Sequence, residues 1–138
     1  MSTERNKTIA RRFSEELISK GNMAVADELL AENYINHNPV GNQQPGREGF
    51  KAALGGLRAA FPDLQETIED IVAEGDKVVV RGVRRGTHKG QLMGIPASGK
   101  PVAATKTYIL RVADGKITDA WLNWDMLSVL QKIGAVPS

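Results

Sequence analysis

Pro62 divides this chain into two halves with different hydrophobic periods. Before it, apolar residues return every three or four positions, the spacing of one helix face. After it, apolar and polar residues alternate, the spacing of a half-buried strand. A chain ordered this way is expected to fold as α+β, with helices packed on one face of an antiparallel sheet.

In the first half, Thr3 suits a helix cap, and Ile9, Phe13 and Leu17 form one stripe that Gly21 ends. Asn22 suits the cap of a second helix, with Met23, Ala26, Leu29 and Leu30 facing inward. YINHNPVGNQQPG reads as an irregular loop. A third helix is predicted over 47–60, on Phe50, Leu54 and Leu57, and Pro62 stops it. In the second half, LQETIEDIVAE, KVVVRGVRRGTH, PVAATKTYILRV and KITDAWLNWD read as four strands, and MLSVLQKIG as a short closing helix. The ADGK step between the last two strands is a tight-hairpin signal. With 138 residues, one domain over 1–138 is expected, large enough to bury its own core.

Composition narrows the function. The chain has no cysteine, which excludes disulfides, thiolate chemistry and sulfur-ligated zinc. Its two histidines, His37 and His88, share no metal-binding spacing, so no metal site is expected. Eighteen basic and sixteen acidic residues nearly balance. The basic run RGVRRGTHK reads as a solvated strand face or as a rim favouring an anionic ligand, and no nucleic-acid partner is expected. There is neither a signal segment nor an apolar stretch of membrane-spanning length, so a cytoplasmic protein without a membrane partner is expected.

Both tryptophans fall in WLNWD, residues 121–125. Strict alternation along this strand places Trp121, Asn123 and Asp125 on one face and Trp124 on the other, toward a helix or a partner subunit. The ADGK turn brings Tyr108 beside Trp121. A patch of Tyr108, Trp121, Asn123 and Asp125 is expected, its apolar surface desolvating the carboxylate and making it a base. Each residue also has a structural reading. Asp125 suits the N-cap of the last helix, Trp121 and Tyr108 suit a core, and the two histidines suit local backbone contacts.

The stretches NYINHNP, FPDL, GDKVVVRG, GTHKGQLMGIPASGKPV and RVADGKITDAWLNWDMLSVLQKIG cover most of the chain. In them the chain resembles the SnoaL-like polyketide cyclase family, of the nuclear-transport-factor-two-like or cystatin-like cone superfamily. The resemblance implies a cone-shaped, curved antiparallel sheet of four to six strands, wrapped by helices around a deep pocket. It also implies a homodimer or higher homo-oligomer, and cofactor-independent ring closure of the aldol type on an apolar, carbonyl-bearing compound. In the cyclases an aspartate at the position of Asp125 is the acid/base. They carry a histidine where this chain has Tyr108, whose phenol hydrogen-bonds an enolate but does not titrate near neutral pH. The expected catalytic residues are therefore Asp125 and His37, with Tyr108, Trp121, Asn123 and His88 binding substrate. Two alternatives share the fold: a non-catalytic small-molecule-binding or accessory protein, and a hydrolase using an Asp-activated water.

Overall fold

The computed structural model describes residues 2–39 and 41–138; of the expected 34–46 loop, only Val40 lies outside them. The elements run α1 (Thr3–Arg12), a π-helical turn (Phe13–Ser19), α2 (Met23–Leu29), β1 (Leu30–Asn36), α3 (Gly46–Ala60), β2 (Gln65–Glu74), β3 (Lys77–Thr87), β4 (Pro101–Ala113), β5 (Lys116–Trp124) and α4 (Met126–Lys132). Helix α1 is capped not by the expected Thr3 but one residue earlier, by Ser2, whose Oγ accepts from the Arg5 amide.

The sheet has five strands in the order β1-β5-β4-β3-β2. It is mixed rather than purely antiparallel, because β1 pairs parallel with β5. That strand corrects two expectations. Leu30 begins a strand instead of continuing the second helix, and 34–36 is extended instead of loop, with Leu30 and Tyr34 buried on the strand's inner side. Its four inward or half-inward side chains are too few to show strand alternation in the sequence. The hairpin between β4 and β5 falls where predicted. Asp114 and Gly115 take φ of 52° and 77°, the left-handed pair that a tight two-residue turn requires.

Two bulges bend the sheet around the helices. Glu69 is the extra residue opposite β3, and Thr118 the extra residue opposite β4. At Gly82 the β2 backbone approaches so closely that an added Cβ would lie 1.9 Å from the Thr67 carbonyl oxygen, so only glycine fits there. The inner face of β3 and β4 (Val78, Val80, Val102, Leu110, Val112) closes on Ile9, Phe13 and Leu17. Phe13 joins Phe50 and Tyr108 at centroid distances of 5.5 Å, the latter edge-on.

Candidate functional site

Between α3 and the inner sheet face lies an apolar cavity of about 140 Å³, walled by Phe50, Leu54, Leu57, Leu92, Leu122 and Trp124. Asn36, Gln43 and Arg84 are its polar groups. It narrows inward to a space of about 40 Å³ floored by Tyr34, Tyr108 and Leu110. Outward it adjoins a recess of about 400 Å³ at His37, Asn38, Asn123 and Met126, with Met93, Leu122 and Trp124 shared between the two. No aspartate or glutamate lines the cavity among the described residues. A larger groove of about 720 Å³ runs past Asp63, Arg85 and Lys132, but it is open. Its Arg58 already donates to the carbonyls of Ile18, Ser19 and Leu64.

Beneath the cavity floor sits a buried charged cluster. Glu66 Oε2 accepts from Arg84 Nε at 2.8 Å and Arg84 Nη2 at 2.6 Å. Its Oε1 accepts from Ser14 Oγ at 2.8 Å and Tyr108 OH at 2.9 Å. Lys106 Nζ lies 3.2 Å from the same oxygen and 3.7 Å from the Tyr108 ring centroid. The Arg84 guanidinium lies 4.9 Å from the Trp124 ring centroid. Ser14 reaches Glu66 from the π-helical turn, a distortion that re-aims side chains.

Burial raises the Glu66 carboxyl, but Arg84 and Lys106 together outweigh it and hold the group below its ordinary range. Burial also drives the Lys106 amine down to about 8, against the pull of Glu66. The phenol of Tyr108 is pushed up, first by burial and then by Glu66. The lysine has a consequence for stability. Below about pH 8 both folded and unfolded chains carry its proton, and the folded state bears the full cost of the buried cation. Between about 8 and 10.5 the unfolded chain holds more protons, so stability rises with pH, by at most about 3 kcal/mol. From about pH 10 the raised Tyr34 and Tyr108 phenols act with the opposite sign. Urea unfolding at stepped alkaline pH should show the rise in the native protein and none in Lys106→Met.

The expected patch is not formed. Thr118 bulges out of β5 and reverses every later side chain. Tyr108 therefore pairs with Leu122, and Trp121 pairs with Ile109. Tyr108 and Trp124 point inward, and Trp121 and Asn123 lie on the outer face. Trp124 thus meets the cavity rather than only a helix or partner. Asp125 is exposed, Oδ1 accepts from the Ser128 amide at 3.1 Å, and it lines a shallow groove with Thr105 and Thr107. No apolar surface desolvates it; it is the N-cap of α4. Because asparagine caps as well as aspartate, Asp125→Asn should leave the thermal midpoint unchanged, and Asp125→Ala should cost about 1 kcal/mol. Thermal melts of the two variants check this.

His88 is fully buried and does not line the cavity. Its Nδ1 accepts from the Ser98 amide at 3.1 Å and its backbone pairs with Gly99 and Lys100, so it pins the 88–100 loop. His37 stands at the outer recess. Its Nε2 lies 2.8 Å from Asp119 Oδ2, and its ring stacks on Trp121 at 4.7 Å. Asp119 is held below its ordinary range by hydrogen bonds from His37 and Thr118. A carboxylate only accepts, so Nε2 carries the proton and Nδ1 is left as the basic nitrogen. Asn123 accepts from Asn38 at the same recess. Among the described residues no cluster of carboxylates and histidines suits a metal ion, and no helix is long and apolar enough to cross a membrane.

Glu66 and Lys106 escaped the sequence reading, and Arg84, read within the basic run as a solvated face or rim, is buried instead, yet a signal existed. Each of the three charges interrupts an apolar strand face: Leu64–Glu66–Ile68, Val78–Val80–Gly82–Arg84 and Val102–Ala104–Lys106–Tyr108. Two cations and one anion on inward faces announce a buried ionic group.

Comparison with known proteins agrees with this architecture. The structure of TsrD from Streptomyces laurentii superposes with a TM-score of 0.89 at 29% identity, over 99% of each chain. Aklanonic acid methyl ester cyclase DnrD from Streptomyces peucetius is 33% identical over 110 residues, 78% of this chain and 72% of that one. Nogalonic acid methyl ester cyclase from Streptomyces nogalater is 28% identical over 112 residues, 78% of this chain and 82% of that one. The family model described as SnoaL-like polyketide cyclase matches residues 8–133, and with it the chain belongs to the SnoaL-like polyketide cyclase family.

Proposed function

We propose that this protein is a cyclase-type enzyme that moves a proton α to a carbonyl in a small, apolar organic compound, without a cofactor. The observation that carries the reading is that the apolar cavity and a recess holding an oriented histidine share Met93, Leu122 and Trp124 as walls. The ligand's ring lies against Trp124 and Leu122, its carbonyl oxygen toward Arg84 and its acidic carbon toward His37. Asp119 keeps the imidazole in the tautomer that accepts at Nδ1 and stabilises the imidazolium that forms. Arg84 stabilises the developing enolate in a water-poor setting. This assignment moves the base from Asp125, which caps α4, to His37. An Asp-activated hydrolytic water is disfavoured, because it needs a carboxylate facing the ligand. Entry of a small organic ligand, homo-oligomerisation, a cytoplasmic location and the absence of nucleic-acid and membrane partners belong to the same proposal.

The test avoids needing the natural substrate. A panel of cyclic and acyclic 1,3-dicarbonyl esters is incubated with the protein in heavy water, and exchange of the α-proton is followed by NMR. Saturable, protein-dependent exchange supports the enzyme. Saturable binding without exchange across the panel would make the chain a non-catalytic binding or accessory protein of the same fold.

A further inference from the structure

We propose that the cavity floor is an anion site, in which Arg84 binds the negatively charged oxygen of an apolar, ring-sized ligand, a carboxylate or a stable enolate. The inference rests on the cavity being the ligand site, as above, and adds the chemical class that it selects.

Three observations converge. The first is charge balance. Glu66, Arg84 and Lys106 are buried together, with side chains at most 5% exposed, and they leave one positive charge in excess. One cation would have sufficed to neutralise Glu66. A second buried cation without its own counter-ion is costly unless an anion joins it. The second is saturation. Glu66 already accepts from Arg84 at one oxygen and from Ser14 and Tyr108 at the other. Among the described residues the surplus charge meets no second carboxylate, only the Tyr108 and Trp124 rings. The third is direction. Arg84 gives Nε and Nη2 to Glu66, whereas Nη1 has no hydrogen-bond partner among the described residues. The Trp124 ring lies over the guanidinium and Arg84 lines the cavity, so Nη1 is the donor assigned to the ligand. A guanidinium fixed on two sides and open on a third loses little freedom on binding an oxyanion. The cavity volume of about 140 Å³ suits one six-membered ring.

Two pairs of probes test this on the full-length protein by calorimetry at neutral pH. Benzoate is compared with benzamide, its neutral isostere. The enolate of 1,3-cyclohexanedione is compared with 3-methoxy-2-cyclohexenone, its neutral methyl ether. The anion of at least one pair should bind about tenfold tighter or more than its partner, and the pair that discriminates tells a carboxylate from an enolate ligand. Arg84→Gln should abolish the preference. Should that variant fail to fold, Lys106→Met keeps the Glu66–Arg84 pair, balances the cluster and should reduce the preference severalfold. Neither anion binding, or each binding no tighter than its neutral partner, overturns the proposal. So does a preference unchanged in both variants. These readouts are independent of turnover: anion selectivity without α-proton exchange upholds the site and refutes the enzyme, and exchange without selectivity does the reverse.

Discussion

Glu66→Gln is expected to destabilise the protein by about 3 to 5 kcal/mol. The substitution keeps the shape of the side chain and removes its charge. Arg84 and Lys106 then remain buried with no counter-ion, and the amide nitrogen of Gln has to face one of their donors. Against a typical total of about 5 to 15 kcal/mol, this is a large fraction. Urea unfolding at neutral pH reads it as a lower midpoint with an unchanged slope. Adding Lys106→Met should recover part of the loss, because Met removes one of the two stranded cations and fills the same volume. Non-additivity of that pair is the specific mark of the ionic cluster. If Glu66→Gln alone costs under about 1 kcal/mol, the cluster is not the electrostatic unit that its distances describe. Acid acts in the same direction. The Glu66 carboxyl is held below its unfolded value, so its contribution is complete above the usual carboxylate range and is lost as pH falls through the folded value.

His37→Gln should lower the α-proton exchange rate by about a hundredfold or more, while binding of the dicarbonyl changes little. Glutamine offers polar atoms at similar reach but accepts no proton near neutral pH. His37 is exposed and makes one side-chain hydrogen bond, to Asp119, so the fold should tolerate the change. Asp119→Asn should give an intermediate loss, because the imidazole remains but the charge that stabilises its protonated form is gone. Asp125→Asn should exchange at the native rate, since its carboxylate caps α4. A native rate in His37→Gln with a large loss in Asp125→Asn would return the base to Asp125.

Much of the fold was legible from local chemistry. Helix α3, the four C-terminal strands and α4 follow from apolar period, β-branched runs and stop signals within each segment. The Asp114–Gly115 turn follows from backbone preference alone. Strand β1 was not legible, because LAENYIN has mixed polarity and gains its hydrogen bonds from β5, some 85 residues later. The site was less legible than the fold. His37 adjoins the recess and Tyr108 floors the cavity, but the expected neighbour of Tyr108, Trp121, lies on the other face of β5, and Leu122 pairs with Tyr108 instead.

By itself the sequence determined which segments are helices and which C-terminal segments are strands, the hairpin order, and which side chains share a face within one uninterrupted strand. It does so because propensity and alternation act over a few residues. The tertiary structure alone decided which face of β5 looks inward. One extra residue at Thr118 turns Leu122 and Trp124 to the cavity and leaves Trp121, Asn123 and Asp125 outside. It alone also gathered Glu66, Arg84 and Lys106 from three strands, and joined His37 to Asp119 across 82 positions. Whether a charge is a solvated surface group or the centre of a site depends on what lies across the sheet from it, and that distance in sequence carries no local signal.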